Sequence, residues 1–469
     1  MAEARTPGNS ERRPDGEALT RRDGKAPAWP HVVIIGGGFA GLEAAKLLRH
    51  EPVRITIIDK QNHHLFQPLL YEVATAALPA SDITAPIRKL FRKDDNVEVI
   101  LDEAQRIDPE AKIITLKGGH VAYDYLILAT GSTHTYFGHD EWARFAPGLK
   151  TIHDAFEIRR RILVAFEAAE RERDPEQQRP WLRFVIVGGG PTGVELAGAI
   201  SDIARNTLTS DFRHFDPRSA EVILVEAMGS ILLTYPPELQ QKAIEQLERL
   251  GVQVRVNAPV TSIDENGVTL GDTRLEAKTV LWAAGVVGTD IARIPGVPLH
   301  RSGRILVNPD LTVPGHPDFF VAGDLAYVKS DDQVVPAAAP GAIQEGQHVA
   351  RNLRRALRGE PLRPFRYRDK GALATIGRKA AVGIVGKLKL SGLIAWLTWL
   401  FVHVLYLVGF RNRVAVLLEW SWSYLTKQRS ARVIVETDGS ILEGLPPHEE
   451  VPRALPERAP LQEEQRPQP

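Results

Sequence analysis

The sequence predicts an α/β protein with two parallel-sheet modules of one kind, followed by a C-terminal helical segment suited to a membrane surface. Three observations carry this expectation. Two apolar strands run straight into glycine-rich turns and then into helices, at His31–Ile35 and Arg183–Val187. Short β-rich apolar runs alternate with helical stretches between and after them, the pattern of βαβ units. One 80-residue block near the C terminus is basic and rich in tryptophan.

Composition narrows the chemistry before any motif is considered. The chain has 469 residues and no cysteine. That excludes a disulfide framework, a cysteine-ligated iron–sulfur cluster, a CxxC redox pair and a cysteine nucleophile. Any redox chemistry must therefore come from a bound cofactor. The 58 basic and 58 acidic residues balance, which argues against a general nucleic-acid binder. The balance hides an uneven distribution: Arg351 to Leu390 holds twelve Lys or Arg against Glu360 and Asp369, and Ser391 to Ser430 holds four against Glu419. No motif suggests a metal.

Taken in order, residues 1–30 are rich in Arg, Glu, Pro, Gly and Ser with no apolar run. They lack the h-region of a signal peptide and are expected to be a disordered tail, leaving the protein on the cytoplasmic side. Residues 437–469, rich in Pro and Glu, are expected to be the same.

The first strand leads into Gly36-Gly-Gly38-Phe39-Ala40-Gly41, and the second into Gly188-Gly-Gly190-Pro191-Thr-Gly193. Each is strand, GxGxxG, helix. The first glycine allows a tight turn, the second lets the backbone approach a pyrophosphate, and the third lets helix and strand pack closely. The anion then sits on the helix N-terminus, where free N–H groups and the dipole favour it. The copies lie 152 residues apart, a duplicated module rather than a short repeat.

An acid that accepts hydrogen bonds from the ribose is expected about 20 residues on, at the end of the next strand. Asp59 follows Arg54–Ile58 and stands 18 residues after Gly41. Glu226 follows Glu221–Val225 and stands 33 residues after Gly193, so Ser201–Ala220 must lengthen the crossover. An acid here repels a 2′-phosphate, so the second site should prefer NADH to NADPH. Two nucleotide modules in one chain suit hydride transfer from a nicotinamide to a flavin. Further strands end in small-residue turns at Ala129-Thr130-Gly131 and at Ala283-Ala-Gly285, and Val321-Ala-Gly323-Asp324 follows.

Gly36–Gly41, Ala129–Gly131 and Val321–Asp324 resemble the three flavin motifs of the two-dinucleotide-binding-domain flavoproteins. The resemblance implies two Rossmann-like domains, one binding FAD through residues 31–150 and 300–370 and one binding NADH at 151–299, inserted between those parts. Disulfide reductases, sulfide:quinone reductases and NADH peroxidases of that superfamily work through cysteines, which this chain lacks. Asp59–Thr75, Asp369–Arg378 and the Trp-rich block resemble the type II NADH:quinone dehydrogenases. That resemblance implies hydride transfer from NADH to FAD, then two electrons to a membrane quinone without proton pumping. It implies no nucleic-acid partner and leaves a homodimer open. A soluble reductase of a ferredoxin-type carrier and a non-enzymatic flavin sensor are the alternatives.

In that family a segment reading roughly A-Q-x-A-x-Q-x-G lines the quinone pocket. Ala339-Pro-Gly-Ala-Ile-Gln-Glu-Gly346 matches it, with Gln344 on the second Gln and Pro340 in place of the first. Proline offers no side-chain hydrogen bond, so Gln344 is the expected quinone contact. By the same resemblance Glu195 points from the second fingerprint helix toward the flavin and relays protons.

Residues 371–436 form the expected membrane-anchoring region. Leu390–Phe410 is 21 residues without a formal charge, close to the roughly 20 that a spanning helix needs. Against spanning, Trp396, Trp399, His403, Tyr406 and Phe410 recur at steps of three and four, gathering amphipathic aromatics on one face. Such groups favour the headgroup boundary, and a second stretch carries Trp420, Trp422 and Tyr424. The preferred expectation is a monotopic anchor on the cytoplasmic face of the cell membrane, with a single spanning helix at 390–410 as the rival.

Overall fold

The computed structural model describes residues 29–426, 429, 431–434 and 445–446. The tails expected at 1–30 and 437–469 lie outside these but for Trp29, Pro30, Leu445 and Pro446.

The chain begins with β1 (His31–Ile35), whose five residues are all buried, and turns through the glycines into α1 (Phe39–Leu48). β2 (Arg54–Asp59) lies parallel to β1, with Thr56 opposite Val33. After the short helix α2 (Leu70–Ala74), β3 (Val97–Leu101) pairs with β2, and β4 (Tyr125–Leu128) takes the other side of β1. α3 (Ile152–Arg171) then starts on a capping box. Thr151 accepts the Asp154 amide, and the Asp154 carboxylate accepts the Thr151 amide.

A second sheet repeats the first. β5 (Arg183–Val187) leads into α4 (Pro191–Asp202), and β6 (Glu221–Val225), α5 (Pro237–Arg249), β7 (Val252–Arg255) and β8 (Thr279–Trp282) follow. The order is β7-β6-β5-β8, all parallel. The long crossover is filled by one π-helical turn at Ile203–Thr207 and a short 3₁₀ turn at Pro217–Ser219.

The chain then returns to the first sheet. β9 (Thr312–Val313) and β10 (His316–Val321) complete the order β9-β10-β4-β1-β2-β3, with Phe320 of β10 opposite Ile127 of β4. Alternate residues feed the two faces: Ile34, Ile57, Ile127 and Phe320 pack on the α1 side, while Val33, Ile58, Leu126 and Phe319 pack on the other. Both faces are covered, which is why these strands read as continuous apolar runs. α6 (Ala339–Leu357) lies across α1. Gly346 meets the Ala40 carbonyl there so closely that no side chain would fit.

The C-terminal part is a three-stranded antiparallel sheet, β11 (Ala372–Gly377), β12 (Ala380–Val385) and β13 (Leu388–Ser391), followed by α7 (Gly392–Tyr406) and α8 (Phe410–Thr426). The sheet packs on α4 at Gly198, where an added methyl would collide with the Ile376 carbonyl.

This region corrects two expectations. The uncharged run at 390–410 does not form one spanning helix. Its first residues belong to β13, Gly392 turns the chain at φ +66°, and α7 has 15 residues, a length of about 22 Å. No described helix is long and apolar enough to cross a membrane. The tryptophans of the aromatic stripe also face the other way, while its Tyr406 is exposed and the Phe410 side chain lies outside the described residues. Trp399 is only 2% exposed and packs at a tilt against Trp420 (5.4 Å) and His403 (4.5 Å), and Trp396 is buried as well. The exposed residues of this helix are mostly aliphatic, Leu393, Ile394, Leu397 and Leu405, together with Phe401, which is 66% exposed, and Tyr406. Trp422, Leu418 and Leu425 extend this outward set on α8. Large flat rings gain more from packing on one another in the interior than aliphatic chains do, and spacing alone does not say which face turns inward.

Candidate active site

The two glycine turns are built alike. Gly36 (φ +104°) and Gly188 (φ +112°) adopt left-handed backbone beside the Ala129 and Ala283 main chains, where a side chain would clash. Gly41 and Gly193 touch the carbonyls of Gly36 and Gly188, which presses each helix onto its strand. Around Gly38 and Gly190, in contrast, a side chain would meet nothing within 4 Å. Each turn thus leaves an open cradle at a helix N-terminus that has no side-chain cap. A pyrophosphate fits such a cradle, and its charge suits the free N–H groups. Phe39 and Ala40 open α1, and Pro191 at the first position of α4 lacks the N–H that would go unused there.

The strand-end acids repeat the same geometry. One Asp59 oxygen accepts the Gly37 amide (2.6 Å) and the other accepts Gln61 (2.7 Å). One Glu226 oxygen accepts the Gly189 amide (2.7 Å) and the other accepts Met228 (2.9 Å). Burial raises the Asp59 carboxyl, and the two amides oppose it. Each carboxylate oxygen keeps a lone pair for a ribose hydroxyl.

Ala129, Thr130 and Gly131 follow β4 directly, and the Thr130 and Thr289 hydroxyls meet at 2.6 Å, joining the two modules. Gly285 (φ +76°) follows β8, with the Phe137 ring against it. Gly323 (φ +80°) rests on Ala40 and Ala342. The Asp324 carboxylate accepts Ser132 (2.9 Å), whose hydroxyl accepts the half-buried Lys150 ammonium (3.0 Å). Burial lowers the Lys150 amine, and Asp324 partly offsets that.

Gln344, on α6, is held by the main chain. Its amide donates to the carbonyls of Pro340 and Arg368, each at 3.0 Å, and accepts the Arg368 amide at 3.0 Å. Next to it, Glu345 is buried and accepts the Gly323 amide at 2.6 Å. Burial pushes that carboxyl up to about 8 against the pull of the amide and of Arg304.

Glu195, on α4, is half-buried and lines a cavity. Glu72, Asp202, Thr375, Arg378, Trp399, Trp420 and Arg429 help to line that cavity, and Gln344 does not. Burial holds the Glu195 carboxyl well above the usual carboxylate range. The charge of Glu72 raises it further, and the Thr375 amide opposes. Glu72 is raised by burial as well, although Arg429, Tyr71 and Trp420 all favour its ionised form. Burial alone would raise Asp202 too, but Arg429 (2.7 Å) and Arg378 (3.1 Å) outweigh it and hold that carboxyl low.

Sequence reasoning missed Glu72, Asp202, Glu345 and Arg429. Glu72 lies in the 59–75 segment that carried a family resemblance, and Glu345 adjoins Gln344. Nothing in the local sequence marks Asp202 or Arg429.

Residues 30–346 match the pyridine nucleotide-disulphide oxidoreductase family, and residues 370–429 match the NDH2 C-terminal domain. The type II NADH:quinone oxidoreductases Ndh and NdhA of Mycobacterium tuberculosis are 43% identical over 426 residues and 45% identical over 421. Those matches cover 87% and 86% of this chain, and 91% and 89% of the relatives. The type II NADH:quinone oxidoreductase of Staphylococcus haemolyticus is 32% identical over 76% of this chain and 89% of its own. The structure of NDH2 from Plasmodium falciparum in complex with NADH shares the fold, with a TM-score of 0.79 at 19% identity over 87% of this chain and all of that one. With this identity over nearly the whole length of the mycobacterial proteins, the chain belongs to the type II NADH:quinone oxidoreductases of the pyridine nucleotide-disulphide oxidoreductase family.

Proposed function

We propose that this protein oxidises NADH and reduces a membrane quinone, using FAD and pumping no protons. The observation that carries the reading is the pair of open glycine cradles, each with its own acid, Asp59 in one and Glu226 in the other. Bound FAD supplies the chemistry of taking two electrons as hydride and passing them on to quinone.

The chain's residues bind and orient. We assign Gly36, Gly38, Phe39, Ala40, Gly41 and Asp59, with Ala129, Thr130, Gly131, Gly323 and Asp324, to FAD. Gly188, Gly190, Pro191, Gly193, Glu226 and Gly285 are assigned to NADH. The corresponding domains run over 31–150 with 300–370, and over 151–299, with the anchoring region at 371–436. Gln344 is proposed to border the quinone, its amide keeping the 368 segment against α6, and Glu195 to hold a proton in a site shielded from water.

The outward face of α7 and α8 supports peripheral attachment to lipid at the cytoplasmic face. Exposed Lys387, Lys389 and Arg411 flank its aliphatic residues, which suits anionic headgroups better than a second copy carrying the same charges.

The test follows flavin absorbance in the purified protein. NADH should bleach it and a short-chain quinone should restore it within the turnover time. A flavin that stays bleached after quinone is added refutes the reading.

A further inference from the structure

Glu72 and Glu195 stand on different elements, α2 and α4, and line one cavity, both half-buried. The charged side chains lining that cavity among the described residues are these two, Asp202, Arg378 and Arg429. Three carboxylates therefore face two guanidiniums. Asp202 is committed: its oxygens take Arg429 at 2.7 Å, Arg378 at 3.1 Å and the Asn206 amide at 2.9 Å. One positive charge is left for Glu72 and Glu195 together. An uncompensated buried charge is costly. The cavity is neutral only when the two glutamates carry a single proton between them.

The surroundings of each fit that state. Glu72 accepts hydrogen bonds from the Tyr71 hydroxyl (2.9 Å) and from the Trp420 indole of α8. Glu195 accepts the Thr375 amide of β11 and faces Glu72 and the buried Tyr235. Among the described residues neither has a salt bridge of its own, and Glu195 feels the charge of Glu72. Arg429 arrives from beyond α8. It also donates to the Thr75 carbonyl, one residue past α2.

We propose that Glu72 and Glu195 act as one acid that holds a single proton and lends it to a quinone oxygen, with Arg429 as the positioning residue that sets the pair's charge. The proposal rests on the NADH:quinone reading above. The overall reaction, NADH + H⁺ + Q → NAD⁺ + QH₂, takes one hydrogen as hydride from NADH and one as a proton. The pair supplies that proton to the reduced quinone oxygen, passes from one negative charge to two, and regains a proton from solvent. No electron moves on the glutamates. Interacting carboxyls that line one cavity titrate in two steps that belong to the pair.

The decisive measurement is the infrared carbonyl band of protonated carboxyls in the holoenzyme at pH 7, identified by its shift in D₂O. Glu345→Gln gives the intensity of one carboxyl. Charge balance predicts that Glu72→Gln and Glu195→Gln each remove one carboxyl's worth, because either glutamate left alone ionises. Arg429→Met should add one. A band that loses no intensity in either glutamine variant overturns the proposal, and so does an unchanged band in Arg429→Met. The two isosteric glutamine variants decide the matter even if the arginine variant does not fold.

In parallel, the rate of flavin reoxidation by quinone is followed against pH. In Glu72→Gln its alkaline fall should move to lower pH, with at least a tenfold loss at pH 8, and Glu72→Asp should restore most of it. Bleaching by NADH should keep its rate. A wild-type pH profile in Glu72→Gln overturns the proposal while leaving the NADH:quinone reading intact. If quinone fails to reoxidise even the wild-type flavin, that reading falls, and the infrared band still decides whether the pair shares a proton.

Discussion

The Glu226 carboxylate meets the Gly189 amide at 2.7 Å and repeats, to within 0.1 Å, the contact of Asp59 with Gly37 at 2.6 Å. In each module the acid closes its own glycine turn while keeping lone pairs free at the mouth of the cradle. Glu226→Ala removes both this tie and the charge that repels a 2′-phosphate. The NADH-to-NADPH ratio of kcat/KM should fall about tenfold or more, since hydrogen bonds to charged groups are worth about 1.5–3 kcal/mol. Steady-state kinetics with both nucleotides check this, and an unchanged ratio counts against the ribose assignment.

Gly198 is the contact between α4 and the C-terminal sheet, with the Ile376 carbonyl where a side chain would begin. Gly198→Ala should cost about 2 kcal/mol or more, because backbone rather than a flexible side chain must move. That corresponds to a fall in Tm of about 4–8 °C for a domain of this size. A thermal melt followed by flavin fluorescence reads it. The acceptor half of the reaction should slow with it, since Glu195 lies on the same helix.

Glu345 gives a stability effect of known sign. Its folded carboxyl titrates at about 8, above its unfolded value of 4.5. Its contribution is full below 4.5 and is lost as pH rises through 8. The imidazoles of buried His64 and half-buried His403, both lowered to about 4 by desolvation, act the opposite way, losing stability as pH falls from 6.5 toward 4. Between pH 6.5 and 8 those two are constant, and Glu345 still declines by up to about 1.4 kcal/mol per unit. Glu345→Gln should flatten that alkaline slope in denaturant titrations. Equal slopes in the two proteins would show that the carboxyl is already ionised at pH 7.

The aliphatic face of α7 should bind lipid. Leu397→Glu and Phe401→Glu each remove about 2 kcal/mol of apolar burial and add a charge. Co-sedimentation with anionic vesicles should fall about tenfold or more for each. Turnover with a water-soluble short-chain quinone should hold. If both variants sediment like wild type, this face is not the attachment surface.

The glycine fingerprints were legible because they answer local demands: Gly36 must take φ +104° and Gly38 must leave room, and no other residue does both. Asp59 and Glu226 were legible because strand length sets where an acid falls at a sheet edge. Glu72 was not, since what gives it meaning is Glu195 on another helix and Arg429 at the far end of the chain. The tryptophans of α7 fall between these cases. Their spacing identified one face correctly, but only the Trp420 ring opposite shows that this face turns inward.

The pairing of β10 with β4 also has a bearing on biogenesis. Phe320 and Ile127 are neighbours in one sheet, yet all of β5 to β8 is synthesised between them. On a ribosome, the first glycine turn emerges beside an open sheet edge that waits for nearly 200 further residues. The second module can close by itself in the interval, which shortens the gap that the late strand must bridge and lowers the entropy lost in closing it. The module made first is thus finished last. A chain stalled before Phe319 would retain the second module while exposing the unpaired edge of β4, the kind of surface that chaperones and proteases recognise.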